Sequence, residues 1–218
     1  MASKETDPIR LARNRQVSRT TIGHYDQSAE QFRDGTWDHD VSQNIQALLS
    51  WLPADRALRI LDFGCGPGRD LVAFRELGHQ VTGVEGSARF CAMARKVSGC
   101  PVLHQDFLAL ELPPGAFDGI FANASLFHVP SAALPGVLGQ LHAALDQEGV
   151  LLASMPRGRD EEGWQQNRYG VYHREATWRA YLAEAHFSEL DHYYRPPGLP
   201  REQQPWFVTV SRRLAPTG

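Results

Sequence analysis

The sequence predicts an α/β protein built on a single doubly wound, mostly parallel, seven-stranded sheet with an antiparallel edge hairpin and an N-terminal helical lid. Three observations predict it. Short apolar runs alternate with helix-period segments up to about residue 155. A glycine-dense turn, "GCGPG" at residues 64–68, joins the first apolar run to the helix that follows. After residue 156 the alternation breaks, and two strand-like segments joined by a proline-rich link close the chain.

The elements follow in order. Val41, Ile45, Leu48, Leu49 and Leu52 recur at helical spacing, and Pro53 ends that helix. "ALRILDF" is a short buried strand, and Arg69 to Leu77 a helix stopped by Gly78. "QVTGVE" is the second strand, and Ser87 caps a helix reaching about Val97. "PVLHQD" and "FDGIFAN" are the third and fourth strands. Leu134, Val137, Leu141 and Leu145 form the apolar face of a helix, with Gly149 placed just beyond its end. "GVLLASM" is the fifth strand. Residues 156–173 are polar and too long for an ordinary connection, so they read as a substrate loop or lid. Trp178, Tyr181, Leu182 and Ala185 mark a last helix, read as core. "LDHYYR" and "PWFVTVSRR" then make the edge hairpin. The division is an N-terminal arm and lid at 1–53 and an α/β domain at 54–218.

Composition narrows the function. The chain has 218 residues, 42% hydrophobic, which suits one domain with a sizeable core. A net charge of −3 leaves no footprint for nucleic acid or an anionic membrane. No run of eighteen apolar residues offers a membrane span. The N-terminal arginines Arg10, Arg13, Arg15 and Arg19 hint at a targeting segment, but Glu5 and Asp7 argue against one. The cysteines Cys65, Cys91 and Cys100 form no C-x-x-C pair, which fits a reducing cytoplasm and no structural zinc.

The glycine turn admits three readings: a phosphate cradle, a seat for another adenosine cofactor, or only a tight turn. Its spacing is G-x-G-x-G, and Arg69 stands where a dinucleotide fingerprint needs its third glycine. No Gly-Lys-Ser/Thr follows, so it is not a P-loop. Glu85 lies 21 positions after Gly64, at the end of the second strand, where a carboxylate can accept from both ribose hydroxyls. Asp106-Phe107 follows the third strand, where an Asp can bond an adenine amino group and an aromatic can pack on its ring. Asp62 can orient the loop or the amino-acid end of a ligand.

These residues resemble the class I S-adenosylmethionine-dependent methyltransferases over roughly residues 20–155. "LDFGCGPG" looks like the first motif of that superfamily, Glu85 its ribose acid, "QDF" its adenine motif and "FDGIFANASLFHV" its fourth-strand motif. The resemblance implies S-adenosylmethionine as cofactor and S-adenosylhomocysteine as product. It implies a cofactor site formed by Asp62, Gly64, Cys65, Gly66, Gly68, Glu85, Gly86, Asp106, Phe107, Asn123 and Ala124. "HYDQSAEQF" is similar to the segment that precedes the core in many small-molecule members, which makes Tyr25 the lid aromatic and Phe32 its packing partner.

Methyl transfer from a sulfonium is an in-line displacement, so positioning is the main task, and a base is needed only where the acceptor carries a proton. His128, after the fourth strand, is the first base candidate, and His39 in "TWDHDVSQN" the next, with Asp40 as a possible helix cap. Trp37, Arg168, Tyr169, Tyr194 and Arg195 are the candidate substrate contacts, from segments that mix aromatics with arginine. No close Asp/Asn/His set argues for a metal. Asn123-Ala124-Ser125-Leu126 lacks the prolines of the amino-methylating members, and no Pro-Cys pair provides a cytosine-type nucleophile. The expectation is a small-molecule acceptor, no nucleic acid or membrane partner, and a monomer or homodimer. A protein methyltransferase or a non-catalytic cofactor-binding module are the alternatives.

Overall fold

The computed structural model describes residues 8–215, so Glu5 and Asp7 lie outside the described residues. Strands β1 (Arg59–Phe63), β2 (Gln80–Glu85), β3 (Val102–His104), β4 (Phe117–Asn123) and β5 (Leu145–Pro156) run parallel. Strands β8 (Phe187–Arg195) and β9 (Trp206–Arg213) add antiparallel pairings beyond β5. The sheet order is β3-β2-β1-β4-β5-β9-β8. β1 and β4 are almost wholly buried, which explains their unbroken apolar runs.

Helices cover both faces. On one, Leu48 of α3 (Ser42–Leu49), Leu71 and Phe74 of α4 (Arg69–Glu76) and Ala94 of α5 (Ala88–Ser98) pack on Ile60, Phe121 and Leu152. On the other, Leu134, Leu138 and Leu141 of α6 (Leu134–Ala144), with Trp178 and Leu182 of α7 (Glu175–Glu184), pack on Phe63, Ile120 and Leu151. The Trp178 indole N–H donates to Thr209 at 3.1 Å, which satisfies its polar atom in the core. Ser87 caps α5 by accepting from the Phe90 amide at 3.1 Å, as its position predicts.

Two expectations change. Residues 156–173 hold a hairpin, β6 (Glu161–Gln165) with β7 (Arg168–Tyr172), rather than a loop. Its strand β6 is largely exposed and carries polar residues on both faces, so no period-two apolar pattern announces it. Gly149 lies inside β5, because α6 ends at Ala144 and Leu145 is already extended. α1 (Pro8–Gln27) and α2 (Ala29–Thr36) come first in the chain, and α3 packs in the sheet's covering layer through Ile45 and Leu48. α1 packs on the hairpin through Val17, Tyr169 and Val171.

At the amino end of β4, away from the glycine turn, the buried Asp118 carboxylate accepts from Arg56 Nη1 at 2.9 Å, the Arg59 amide at 2.7 Å and Arg59 Nη2 at 2.7 Å. These donors hold its pKa well below the usual carboxylate range, against the cost of burial. Asp118→Asn is expected to cost about 2 kcal/mol at pH 7, since both guanidiniums are half-exposed and partly screened. Because the folded carboxyl titrates lower than the unfolded one, the contribution is full above about pH 4 and is lost as pH falls further. Urea unfolding of both proteins from about pH 2 to 7 checks this: the gap should be constant above about pH 4 and begin to narrow below it.

Candidate active site

β1 and β4 are adjacent, and the chain leaves them in opposite directions, so a crevice opens at their carboxyl ends. A cavity of about 900 Å³ fills it. The glycine turn forms one wall. Gly64 has φ +81 and a side chain there would run into Ser125. Gly68 has φ +97, and a Cβ would lie 2.7 Å from the Ala94 Cα of α5. The glycine that lets helix and loop approach closely is therefore at 68 instead of 69. Gly68 does not line the cavity; it spaces the loop and precedes α4.

Glu85 joins the two loops above β1 and β2. Its Oε2 accepts from the Gly66 amide at 3.0 Å and its Oε1 from the Ser87 amide at 2.8 Å. Burial pushes its pKa up, and these amides oppose the shift. Glu85 and Gly86 line the cavity together with Cys65, Gly66, Phe107, Asn123 and Ala124. Burial likewise raises the Cys65 thiol, so it stays protonated.

Two predicted cofactor residues stand back from the wall. Asp62 is buried with Oδ2 unpartnered, and burial, reinforced by nearby Asp70, raises its pKa. Asp106 lies outside the cavity lining, and its Oδ1 accepts from the Leu108 amide at 2.9 Å and the Ser18 hydroxyl at 2.6 Å. Phe107 stacks on Phe63 at 4.2 Å and still reaches the cavity.

The lid lies over the crevice. The Tyr25 ring meets Phe32 at 5.4 Å, Phe90 at 5.7 Å and His128 at 5.4 Å, each centroid to centroid. His128 Nδ1 is 2.6 Å from the Tyr169 carbonyl, which can only accept, so that nitrogen carries the proton. Nε2 therefore accepts from the Tyr25 hydroxyl, 2.7 Å away. Burial lowers the His128 pKa to about 4. The imidazole is neutral near pH 7, but neither nitrogen is open and its basicity is weak. This differs from the open base that its position after β4 predicts. The Tyr169 amide donates to Thr21 at 3.1 Å, so β7 is tied to both α1 and the β4 segment.

Of the remaining candidates, His39, Arg168, Tyr169 and Arg195 line the cavity. Trp37 and Tyr194 do not. Trp37 is 39% exposed. Tyr194 packs on Phe207 at 5.3 Å on the α7 face of the sheet, donates to Glu175 at 2.6 Å and lies under Arg201. Side chains on alternate positions of β8 face opposite ways, which separates Tyr194 from its neighbour Arg195. The N-cap of α3 is Val41, and Asp40, one residue before it, accepts from the Ser42 amide of the first turn at 2.9 Å.

Several lining residues escape the sequence reading. Phe127, Tyr172, Trp206 and Pro196 enter the cavity from four separate segments. Arg69 and Asp70 line it as an ion pair at 2.6 Å, and Arg69 also donates to the Thr36 carbonyl of the lid at 2.8 Å. Asn123 accepts from Asn44 at 2.9 Å, and Asn44 from the Tyr193 hydroxyl at 2.8 Å. Only the Arg-Asp pair opening α4 left a local signal. Among the described residues no group of three His, Cys, Asp or Glu side chains could hold a metal ion, and no helix is long and apolar enough to cross a membrane.

Comparison with known proteins agrees with this architecture. Residues 60–149 match a family model described as a methyltransferase domain. The chain is 34% identical over 153 residues to a trans-aconitate 2-methyltransferase of Paracidovorax citrulli, covering 68% of this chain and 57% of that protein. It is 32% identical over 163 residues to the enzyme of the same name from Rhodopseudomonas palustris, covering 73% and 61%. The chain thus spans about three-fifths of the length of these relatives. Among solved structures, the Burkholderia thailandensis 1,6-didemethyltoxoflavin-N1-methyltransferase, with S-adenosylhomocysteine bound, superposes with a TM-score of 0.75 at 22% identity, over 93% of this chain and 91% of that one. That last likeness is one of fold. Matched in sequence across the glycine turn and the strands around it, and in fold over nearly its whole length, the chain belongs to the class I S-adenosylmethionine-dependent methyltransferase superfamily.

Proposed function

We propose that the protein is an S-adenosylmethionine-dependent methyltransferase acting on a small-molecule acceptor. The observation that carries this reading is one covered cavity, shared by the glycine turn and Glu85 with the Tyr25–His128 pair and the aromatic and arginine wall beyond. α1 and the β6–β7 hairpin roof it, which favours a small acceptor over a protein segment or a bare binding module. The names of the trans-aconitate relatives support the same class.

The residues present fit the cofactor. The wall at Gly64 and Gly66 carries no side chain, Glu85 ends at the cavity, and Asp62 keeps an unpartnered oxygen just before the loop. When bound, S-adenosylmethionine supplies a methyl group already activated on a sulfonium. In this reading Glu85 holds the ribose hydroxyls, and Gly64, Cys65 and Gly66 present backbone to the sugar and methionine end. Asp62, behind them, orients the amino-acid end. Gly86, Phe107 and Leu108 flank the adenine. Asp106 positions Leu108 and the lid through the bonds described. Asn123 and Ala124 close the base of the crevice.

Tyr25 covers the reactive end, its hydroxyl held by His128 and its ring braced by Phe32 and Phe90. His128 acts as a positioning residue, fixing Tyr25 and the hairpin in one arrangement. His39, Arg168, Tyr169 and Arg195 face the acceptor. The lid comprises α1 and α2, and we place its boundary with the α/β domain before α3. Three buried free cysteines support a cytoplasmic setting. A monomer or homodimer is expected by light scattering after gel filtration.

Calorimetry with S-adenosylhomocysteine tests the cofactor reading, and no heat at high micromolar ligand would sink it. Glu85→Ala is expected to weaken that binding by about 1–3 kcal/mol through lost charge-assisted bonds; an unchanged Kd would remove Glu85 from the site. His128→Ala and Tyr25→Phe are expected to lower kcat by about tenfold or more, with S-adenosylhomocysteine affinity within about threefold. Single-turnover assays of both variants beside calorimetry check this, and wild-type kcat in both would remove the pair from catalysis.

A further inference from the structure

Two guanidinium groups face the acceptor side of the cavity without a carboxylate partner. Arg168 opens β7 after the hairpin turn, and Arg195 closes β8. Both line the cavity, and the Nε of each is buried with no hydrogen-bond partner. Arg195 Nη2 donates to the Asp40 carbonyl at 2.5 Å. The Arg168 guanidinium lies within hydrogen-bonding reach of the Tyr25 hydroxyl. Neither arginine forms an ion pair within 4.0 Å among the described residues, unlike Arg69, which is held by Asp70.

The acids that line the cavity are already engaged. Asp70 is held by Arg69, Glu85 by the Gly66 and Ser87 amides, and Asp40 by the Ser42 amide. Both side chains are half-buried, each leaves a buried Nε–H without an acceptor, and a sulfonium brought near them adds a third positive charge. An anion between the arginines relieves both. Phe127, Tyr172 and Trp206 supply an apolar wall beside it, with ring centroids 6.3 Å apart for Phe127 and Tyr172 and 6.2 Å for Phe127 and Trp206.

We propose that the acceptor is a small carboxylic acid with a flat, apolar body, bound as its carboxylate by Arg168 and Arg195 and methylated on a carboxylate oxygen. The proposal rests on the methyltransferase reading above. Planar guanidinium groups match carboxylates, and aromatic walls match a flat body. Arg168, beside Tyr25, aligns the reacting carboxylate, and Arg195 anchors the acid from the end of β8. A carboxylate lone pair forms the new O–C bond as the C–S bond of the sulfonium donor breaks. The negative charge of the acid and the positive charge of the sulfonium vanish together, leaving a neutral ester and a neutral thioether. No proton moves, so no base is required, which agrees with an imidazole whose two nitrogens are both engaged.

The test supplies the full chain with methyl-tritiated S-adenosylmethionine and a panel of unsaturated and aromatic carboxylic acids, each beside its primary amide and its alcohol. Label is expected only in acids, and mild alkali should release it as methanol. Arg168→Gln and Arg195→Gln are each expected to raise KM for the labelled acid about 10- to 100-fold. Their Kd for S-adenosylhomocysteine should stay within about threefold, which also reports that they fold. The proposal is overturned if the wild type binds S-adenosylhomocysteine yet labels no acid, if the label is alkali-stable, or if both variants keep the wild-type KM. Absence of S-adenosylhomocysteine binding would instead remove the methyltransferase reading, and this proposal with it.

Discussion

The crevice between β1 and β4 is the constraint on which the rest depends. Parallel strands whose connections leave to opposite sides cannot close the space between their carboxyl ends. Here the glycine turn fills one side and the Asn123-to-His128 segment the other. The two are pressed together, since Gly64 has no room for a side chain against Ser125. Glu85, one strand away, fixes the turn through the Gly66 amide and the next helix through the Ser87 amide. One carboxylate thereby sets the relative height of two loops. Asp26 of the lid helix accepts from the Ser87 hydroxyl at 2.5 Å, so the lid is registered on the same assembly.

A second junction roofs the crevice. His128 takes the Tyr25 hydroxyl on one nitrogen and the Tyr169 carbonyl on the other. Three segments far apart in the chain thus meet on one ring. Its low pKa follows from that enclosure, and the enclosure makes it a better brace than a base. The hairpin has little core of its own, only Tyr169 and Val171 against Val17. Its placement therefore rests largely on polar bonds to Thr21 and His128. Elements held this way open more readily than a sheet does, which suits a cover over a site that must exchange small molecules.

Much of the site was legible because its chemistry is local. Glu85 ends a strand and follows the glycine turn at a spacing that the β1–α4–β2 unit imposes, so residue order alone puts it at the crevice. Ser87 caps its helix by a rule that spans three residues. Asp106 was legible as a position but not as a contact, because its carboxylate turned to the nearby Leu108 amide and to Ser18 in the lid. Trp37 and Tyr194 have the right composition and sit next to cavity residues. Which way a side chain points on an exposed turn or a twisted edge strand is set by packing partners that the local sequence does not name.

The sequence by itself determined the doubly wound sheet, the glycine turn and the acid after β2, because strand burial, helix periodicity and φ > 0 at glycine are short-range constraints. It also pointed to Tyr25, through the likeness of the segment before the core, and to His128, through its place after β4, and both line the cavity. Only the tertiary structure decided that these two share a hydrogen bond, that residues 156–173 form a hairpin, and that Phe127, Tyr172, Trp206, Arg168 and Arg195 face one cavity. Those facts arise where the lid, the hairpin and the edge strands converge. Each contributes one or two side chains, so no contiguous stretch of sequence carries a pattern that records their meeting.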